Sequence, residues 1–207
     1  MHRLLFAFAL VVFTAQLVLS QPTVTREEYA VYSIAFRSLR QVPNFEPKLE
    51  HLVIVTDTST PDFSYDFLAP KFRWLVKDLS RRNAVPAKLD PKFLPFLNYS
   101  LVEKQEIDNM LETDKKNFQK ERQKLRRESN RDIYSVCGPP WKSFHAKFSE
   151  AQGYFQVSRI GFSSNRRFAM VELQGHGECW SGYWTYIFKK IGKEWRIYEN
   201  FGSFGIA

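Results

Sequence analysis

Residues 153–200 constrain the fold of this chain more than any other stretch. They divide into four runs rich in aromatic and β-branched residues, at 154–162, 168–174, 183–190 and 194–200, with turn-forming residues between them. Runs of this kind predict four successive strands of an antiparallel meander. Gly192-Lys193 suits a two-residue hairpin with glycine first, because a type II′ turn needs positive φ at that place. In the third run Tyr183, Thr185 and Ile187 alternate with Trp184, Tyr186 and Phe188, so both faces carry large side chains. A sheet with one wet face would alternate more cleanly. Helices from upstream are therefore expected on one face, with the other partly covered or shaped into a groove.

The upstream chain supplies those helices. Thr25-Arg26-Glu27-Glu28 forms a capping box, after which Tyr29, Tyr32, Phe36 and Leu39 recur at helical spacing until Pro43 and Pro47. His51-Leu52-Val53-Ile54-Val55-Thr56 has strand character and ends in Asp57-Thr58-Ser59-Thr60-Pro61. Such a polar cluster either hydrogen-bonds the backbone of a turn or presents Asp57 and Thr58 to a ligand. Leu68, Phe72, Leu75 and Leu79 predict a second helix over 70–82, and Pro86, Pro91 and Pro95 an irregular loop over 83–99. A long polar helix over 103–131 follows, with a thin stripe of Ile107, Met110, Leu111, Phe118 and Leu125. Trp141, Phe144 and Phe148 then predict a short aromatic-faced helix. The fold class is α+β: N-terminal helices and one early strand packed on a C-terminal four-stranded antiparallel meander. By analogy alone, that order suggests the cystatin-like and NTF2-like cones, which host many functions.

The first 20 residues read as an export signal: His2 and Arg3, an apolar run over 4–19, and a tolerated cleavage point before Gln21. Residues 21–207 then form one domain, secreted or periplasmic, with no transmembrane segment in the mature chain. An uncleaved anchor is the alternative. Formal net charge is +8, which permits attraction to an anionic envelope component. Much of it lies on Lys115, Lys116, Lys120, Arg122, Lys124, Arg126, Arg127 and Arg131, a solvated helix face or a docking surface for an anionic or protein partner. No aromatic residues interleave there as base-stacking platforms, which argues against nucleic acid. The chain's 2 cysteines and 4 histidines have no zinc spacing, and no cofactor fingerprint is present. In an exported chain Cys137 and Cys179 are either bonded to each other or two buried thiols. Asn98-Tyr99-Ser100 fits the glycosylation sequon.

The order of landmarks resembles an uncharacterised family of secreted bacterial proteins. The matching features are the Tyr-rich first helix, Val53 to Thr58, the Trp141–Phe144–Phe148–Gly153 series, Ser158-Arg159-Ile160-Gly161-Phe162-Ser163, Ala169-Met170-Val171, a Cys-Gly loop and the closing hairpin from Lys190 to Ile197. Family members carry two cysteines in the Cys-Gly loop, whereas Gly175-His176-Gly177-Glu178-Cys179 has one. Under the resemblance, Cys137 is then the available partner of Cys179. The resemblance implies export and this fold, and no activity.

Candidate chemistry is sparse. No nucleophile elbow is present. His176 and Glu178 lie in a glycine-lined loop, suited to acid–base chemistry or to a disulfide-pinned hairpin. Strand alternation puts Arg159 on the side of Phe155 and Val157, an apolar face on which a guanidinium needs a carboxylate. Glu172 and Asp57 are the natural partners. If they do not pair with it, Arg159 becomes a fork for a ligand carboxylate or phosphate. Two functions follow: a non-catalytic binding or interaction domain, or a small-molecule-binding or hydrolytic domain using Arg159, Glu172, Asp57 and His176 in a polar pocket on the concave sheet face.

Overall fold

A computed structural model describes residues 22–39, 50–59, 68, 70–91, 94, 97–129 and 137–206. The expected export signal over residues 1–20, Pro43, Pro47, Thr60, Pro61, Pro95 and Arg131 lie outside these residues. Helix α1 (Arg26–Leu39) begins at the capping box: the Thr25 amide donates to Glu28 Oε2 at 2.8 Å, and the Glu28 amide donates to Thr25 Oγ1 at 3.3 Å. Its buried stripe is Glu28, Val31, Tyr32, Ala35, Phe36 and Leu39. Strand β1 (Leu52–Val55) is buried on both faces. A turn of 3₁₀-helix (Pro70–Phe72) leads into α2 (Arg73–Asn83). Strand β2 (Tyr99–Val102) falls where the expected loop ends at 99 and before the expected helix begins at 103.

Helix α3 (Lys104–Ser129) and the short α4 (Lys142–Lys147) follow. Asp114 joins them, accepting from the Ser143 amide at 2.8 Å and the Ser143 hydroxyl at 2.7 Å. The meander comprises β3 (Gly153–Val157), β4 (Gly161–Phe162), β5 (Phe168–Gly177), β6 (Trp180–Ile191) and β7 (Glu194–Ile206). The hairpin glycine, Gly192, has φ of +62°.

All strands belong to one mixed sheet of order β2-β1-β3-β5-β6-β7, with β4 pairing β5 in line with β3. Strand β1 runs parallel to β2 and to β3, and the remaining pairs are antiparallel. Helix α1 covers one face, packing Tyr32, Phe36 and Leu39 with Leu52, Ile54, Phe155, Val171 and Tyr186. The opposite face carries two separate clusters. Ile107, Met110 and Leu111 of α3 and Phe144 of α4 pack on Val53, Val55 and Tyr154. Leu75 and Leu79 of α2 pack on Met170 and Ile187. Phe118 and Leu125, expected on the same apolar stripe of α3, join none of these clusters. The approach of α2 is close: a Cβ at Gly161 would lie 2.7 Å from the Leu75 carbonyl oxygen.

The expected first strand of the meander is interrupted. At Ser158 the amide donates to the Glu172 carbonyl at 2.9 Å, but the Glu172 amide donates to Ser158 Oγ at 2.9 Å. A side-chain hydroxyl thus replaces the ladder acceptor, and the freed Ser158 carbonyl accepts from the Tyr32 hydroxyl at 2.7 Å. The strand pairing is interrupted here as at a bulge.

Candidate functional site

Arg159 follows that interruption. Its guanidinium lies in a seam between Glu28 near the start of α1, the helix that covers the face of Phe155 and Val157, and Val85 just beyond the end of α2. Its Nη2 lies 3.3 Å from Glu28 Oε1, and its Nη1 donates to the Val85 carbonyl at 3.3 Å. Its amide donates to Asn83 Oδ1 at 2.6 Å. Glu28 is fully buried and Arg159 is 7% exposed. The partner of Arg159 is therefore Glu28, rather than Glu172 or Asp57. Arg82 approaches the same Glu28 oxygen at 3.5 Å and reaches Asp78 Oδ2 at 2.9 Å. Burial beside Glu28 raises the Tyr32 phenol well above its ordinary pKa, which keeps its proton on the bond to Ser158.

Asp57 and Glu172 stand apart from this seam. Thr58 and Ser59 bond distant segments rather than a local turn: Ala87 N donates to Thr58 Oγ1 at 2.8 Å, and Ser59 N to the Val157 carbonyl at 2.8 Å. Asp57 bridges to Lys88 through the backbone, and its buried Oδ1 accepts no hydrogen bond among the described residues. Glu172 is fully buried opposite Thr185 of β6. It shares a strand face with Gln174 and His176, two residues apart each time. The four sequence candidates thus do not converge: Glu172 and His176 share a strand face, and Arg159 belongs to a different interaction.

His176 lies at the far end of β5, in a pocket of about 350 Å³. Its ring stacks on Tyr154 at 5.0 Å and 26°, and Tyr154 stacks on Trp141 at 5.9 Å and 25°. Three strands supply the floor, where His176 pairs with Ser181 and Ser181 with Gly205. Trp180 borders the pocket from the other sheet face, its ring 5.9 Å from both Phe155 and Phe204 and its indole N–H donating to the Gln152 carbonyl at 3.2 Å. Trp141 and Trp180 both remain half-buried. Burial, helped by Lys104, lowers the His176 pKa, so its ring is neutral at pH 7. Burial, helped by Asp108, pushes the Tyr154 phenol up to about 12. Glu178 at the rim lies 3.5 Å from His145 Nε2.

Cys137 and Cys179 are bonded, with Cα atoms 4.6 Å apart. The bridge joins the turn before Trp141 to the β5–β6 connection, tying two walls of the pocket together. In the chain-entropy model a loop of this length stabilises the fold by about 4 kcal/mol. Among the described residues no group of three His, Cys, Asp or Glu side chains is placed to hold a metal ion.

Sequence reasoning missed Glu28 and the pocket walls. Glu28 was legible as a cap only, although it stands on the stripe of Tyr32, Phe36 and Leu39, where a carboxylate needs a cation. Trp141, Tyr154 and Trp180 carried an aromatic signal that core packing also explains. The fold and site define an α+β domain with a mixed sheet and an aromatic-lined pocket at its disulfide-closed end. No family model, no curated protein and no solved structure matches the chain.

Proposed function

We propose that this chain is an exported, non-catalytic binding domain whose recognition site is the pocket around His176. The observation that carries the reading is the lining itself: the stacked rings of Trp141, Tyr154 and His176, with Ser181 and Glu178 beside them. Aromatic walls with a few placed polar groups are the usual make-up of a small-molecule site. A saccharide ring fits this chemistry, because its C–H face packs on an indole while its hydroxyls reach a carboxylate, a hydroxyl and a neutral imidazole. The half-exposed disulfide suits an oxidising compartment outside the cytoplasm. No helix among the described residues is long and apolar enough to cross a membrane.

The test is titration with glucose, N-acetylglucosamine and their β-linked disaccharides, followed by tryptophan fluorescence. A saturable change that Trp141→Ala removes supports the reading. No change with any of the sugars removes the ligand class.

A hydrolytic reading rests on one observation: Ser181, His176 and Glu178 line the same pocket. Against it, Glu178 is directed to His145, and no hydrogen bond joins His176 to Ser181 or Glu178 among the described residues. Labelling by a fluorophosphonate that is lost in Ser181→Ala would favour hydrolysis over binding.

A further inference from the structure

A second cleft, of about 620 Å³, opens between α2 and the β4–β5 turn. Its walls combine Trp74 and Phe168 with Lys77, Arg81, Arg82 and Arg166. The charges around it do not balance. Glu27 takes Arg166 at 2.7 Å and Lys190 at 2.5 Å, Glu28 takes Arg159 and Arg82, and Asp78 takes Arg81 at 2.6 Å and Arg82 again. Five cations thus share three carboxylates. Lys77, exposed on the cleft wall, makes no ion pair among the described residues and adds a sixth. A surplus of three positive charges at one seam favours an anion in the cleft.

The cations are also held in place. The Arg82 and Arg166 guanidiniums both lie over the Phe162 ring, at 5.2 and 5.3 Å from its centroid. Arg166 has φ of +51°, the one non-glycine residue with positive φ among those described. Arginine is unfavourable in that backbone region, where glycine or asparagine is the ordinary choice. Its side chain accordingly has work at the site. The Ser163 hydroxyl fixes the turn by accepting from the Arg167 and Phe168 amides, each at 2.9 Å.

We infer that this cleft binds a phosphoryl group, with Lys77, Arg81 and Arg166 contacting its oxygens and Trp74 and Phe168 flanking the body of the molecule that carries it. Planar guanidiniums match phosphate oxygens two at a time, and several cations around one small volume suit a multiply charged oxyanion better than a single carboxylate. The site is separate from the His176 pocket and goes beyond the binding reading given for it.

The experiment is calorimetric titration with inorganic phosphate, alongside co-sedimentation with phosphatidylcholine vesicles containing phosphatidic acid. The exposed pair Lys77→Gln/Arg81→Gln is compared with Lys120→Gln/Arg127→Gln on the far half of α3, which removes the same charge elsewhere. Thermal melts check that each variant folds. Binding weakened at least ~10-fold by the first pair and unchanged by the second supports the assignment. Binding to both probes identifies a soluble phosphate ester as an acceptable ligand, and binding to vesicles alone a lipid headgroup. Equal losses from both pairs, or no binding of either probe, would overturn it.

Discussion

The seam at Arg159 lies at the break between β3 and β4, beside the middle of β5, and the pocket at His176 lies at the C-terminal end of β5; they treat polar groups in opposite ways. At the seam, a charge that the sequence placed on an apolar face is buried, and its bonds go to Glu28 and Val85. At the pocket, His176, Ser181 and Glu178 are only partly covered, and aromatic rings rather than ions surround them. A lone buried cation in a sequence therefore indicates a missing partner before it indicates a ligand. Partly covered polar and aromatic side chains gather here where strands end and several segments meet.

Breaking the seam should cost most. Arg159→Met leaves Glu28 buried without its nearest cation, and an orphaned buried charge destabilises by about 3–5 kcal/mol. Denaturant unfolding should show that loss, and Glu28→Gln combined with Arg159→Met should recover a good part of it. If the double variant is as unstable as the sum of the singles, the pair is not coupled as drawn.

Removing the bridge affects the other region. Cys137→Ser/Cys179→Ser should lose up to about 4 kcal/mol, and amide exchange should rise first around Trp141 and residues 176–181. Uniform loosening would mean that the bridge does not define the pocket walls. Gly161→Ala should cost about 1–3 kcal/mol by pushing α2 away from β4, and a neutral result in a thermal melt would refute the close approach.

Acid should separate the two regions. Burial raises the Glu27 and Asp78 pKa values, but hydrogen bonds outweigh it and leave both below their ordinary values: Lys190 and Arg166 on Glu27, and the Phe162 amide, Arg81 and Arg82 on Asp78. Their contribution is complete above the unfolded carboxylate value near ~4 and fades as pH falls through the lower folded values. His176 is also depressed, so its neutral form favours the folded state, and that contribution declines earlier, as pH falls below 6.5. Melting curves should therefore show a first small loss, absent in His176→Phe, and a second at lower pH, reduced in Glu27→Gln/Asp78→Asn.

The legible parts of the chain were those governed by local pattern. The capping box, the helix stripes, the hairpin at Gly192 and most of each long strand follow from neighbours in sequence. Strand β2 did not, because Tyr99-Ser100-Leu101-Val102 is short and its parallel pairing with β1 is a long-range fact. The break at Ser158 was hidden for a related reason: its hydroxyl takes the place of a carbonyl that alternation assumes. The pocket was the least legible feature, since Trp141, Tyr154, the β5–β6 connection and Gly205 come together only when the sheet forms.

The 5 tryptophans allow one measurement to address the central claim that the two regions have different tasks. Trp141 and Trp180 line the His176 pocket, Trp74 lines the basic cleft, and Trp184 and Trp195 are buried in the core. Indole N–H signals in a nitrogen–proton correlation spectrum, assigned with single Trp→Phe variants, should divide accordingly. A saccharide titration should move Trp141 and Trp180 and leave Trp184 and Trp195 in place, while phosphate should move Trp74. Saccharide-induced shifts of the core pair without Trp141 or Trp180, or no shift at all, would contradict the account.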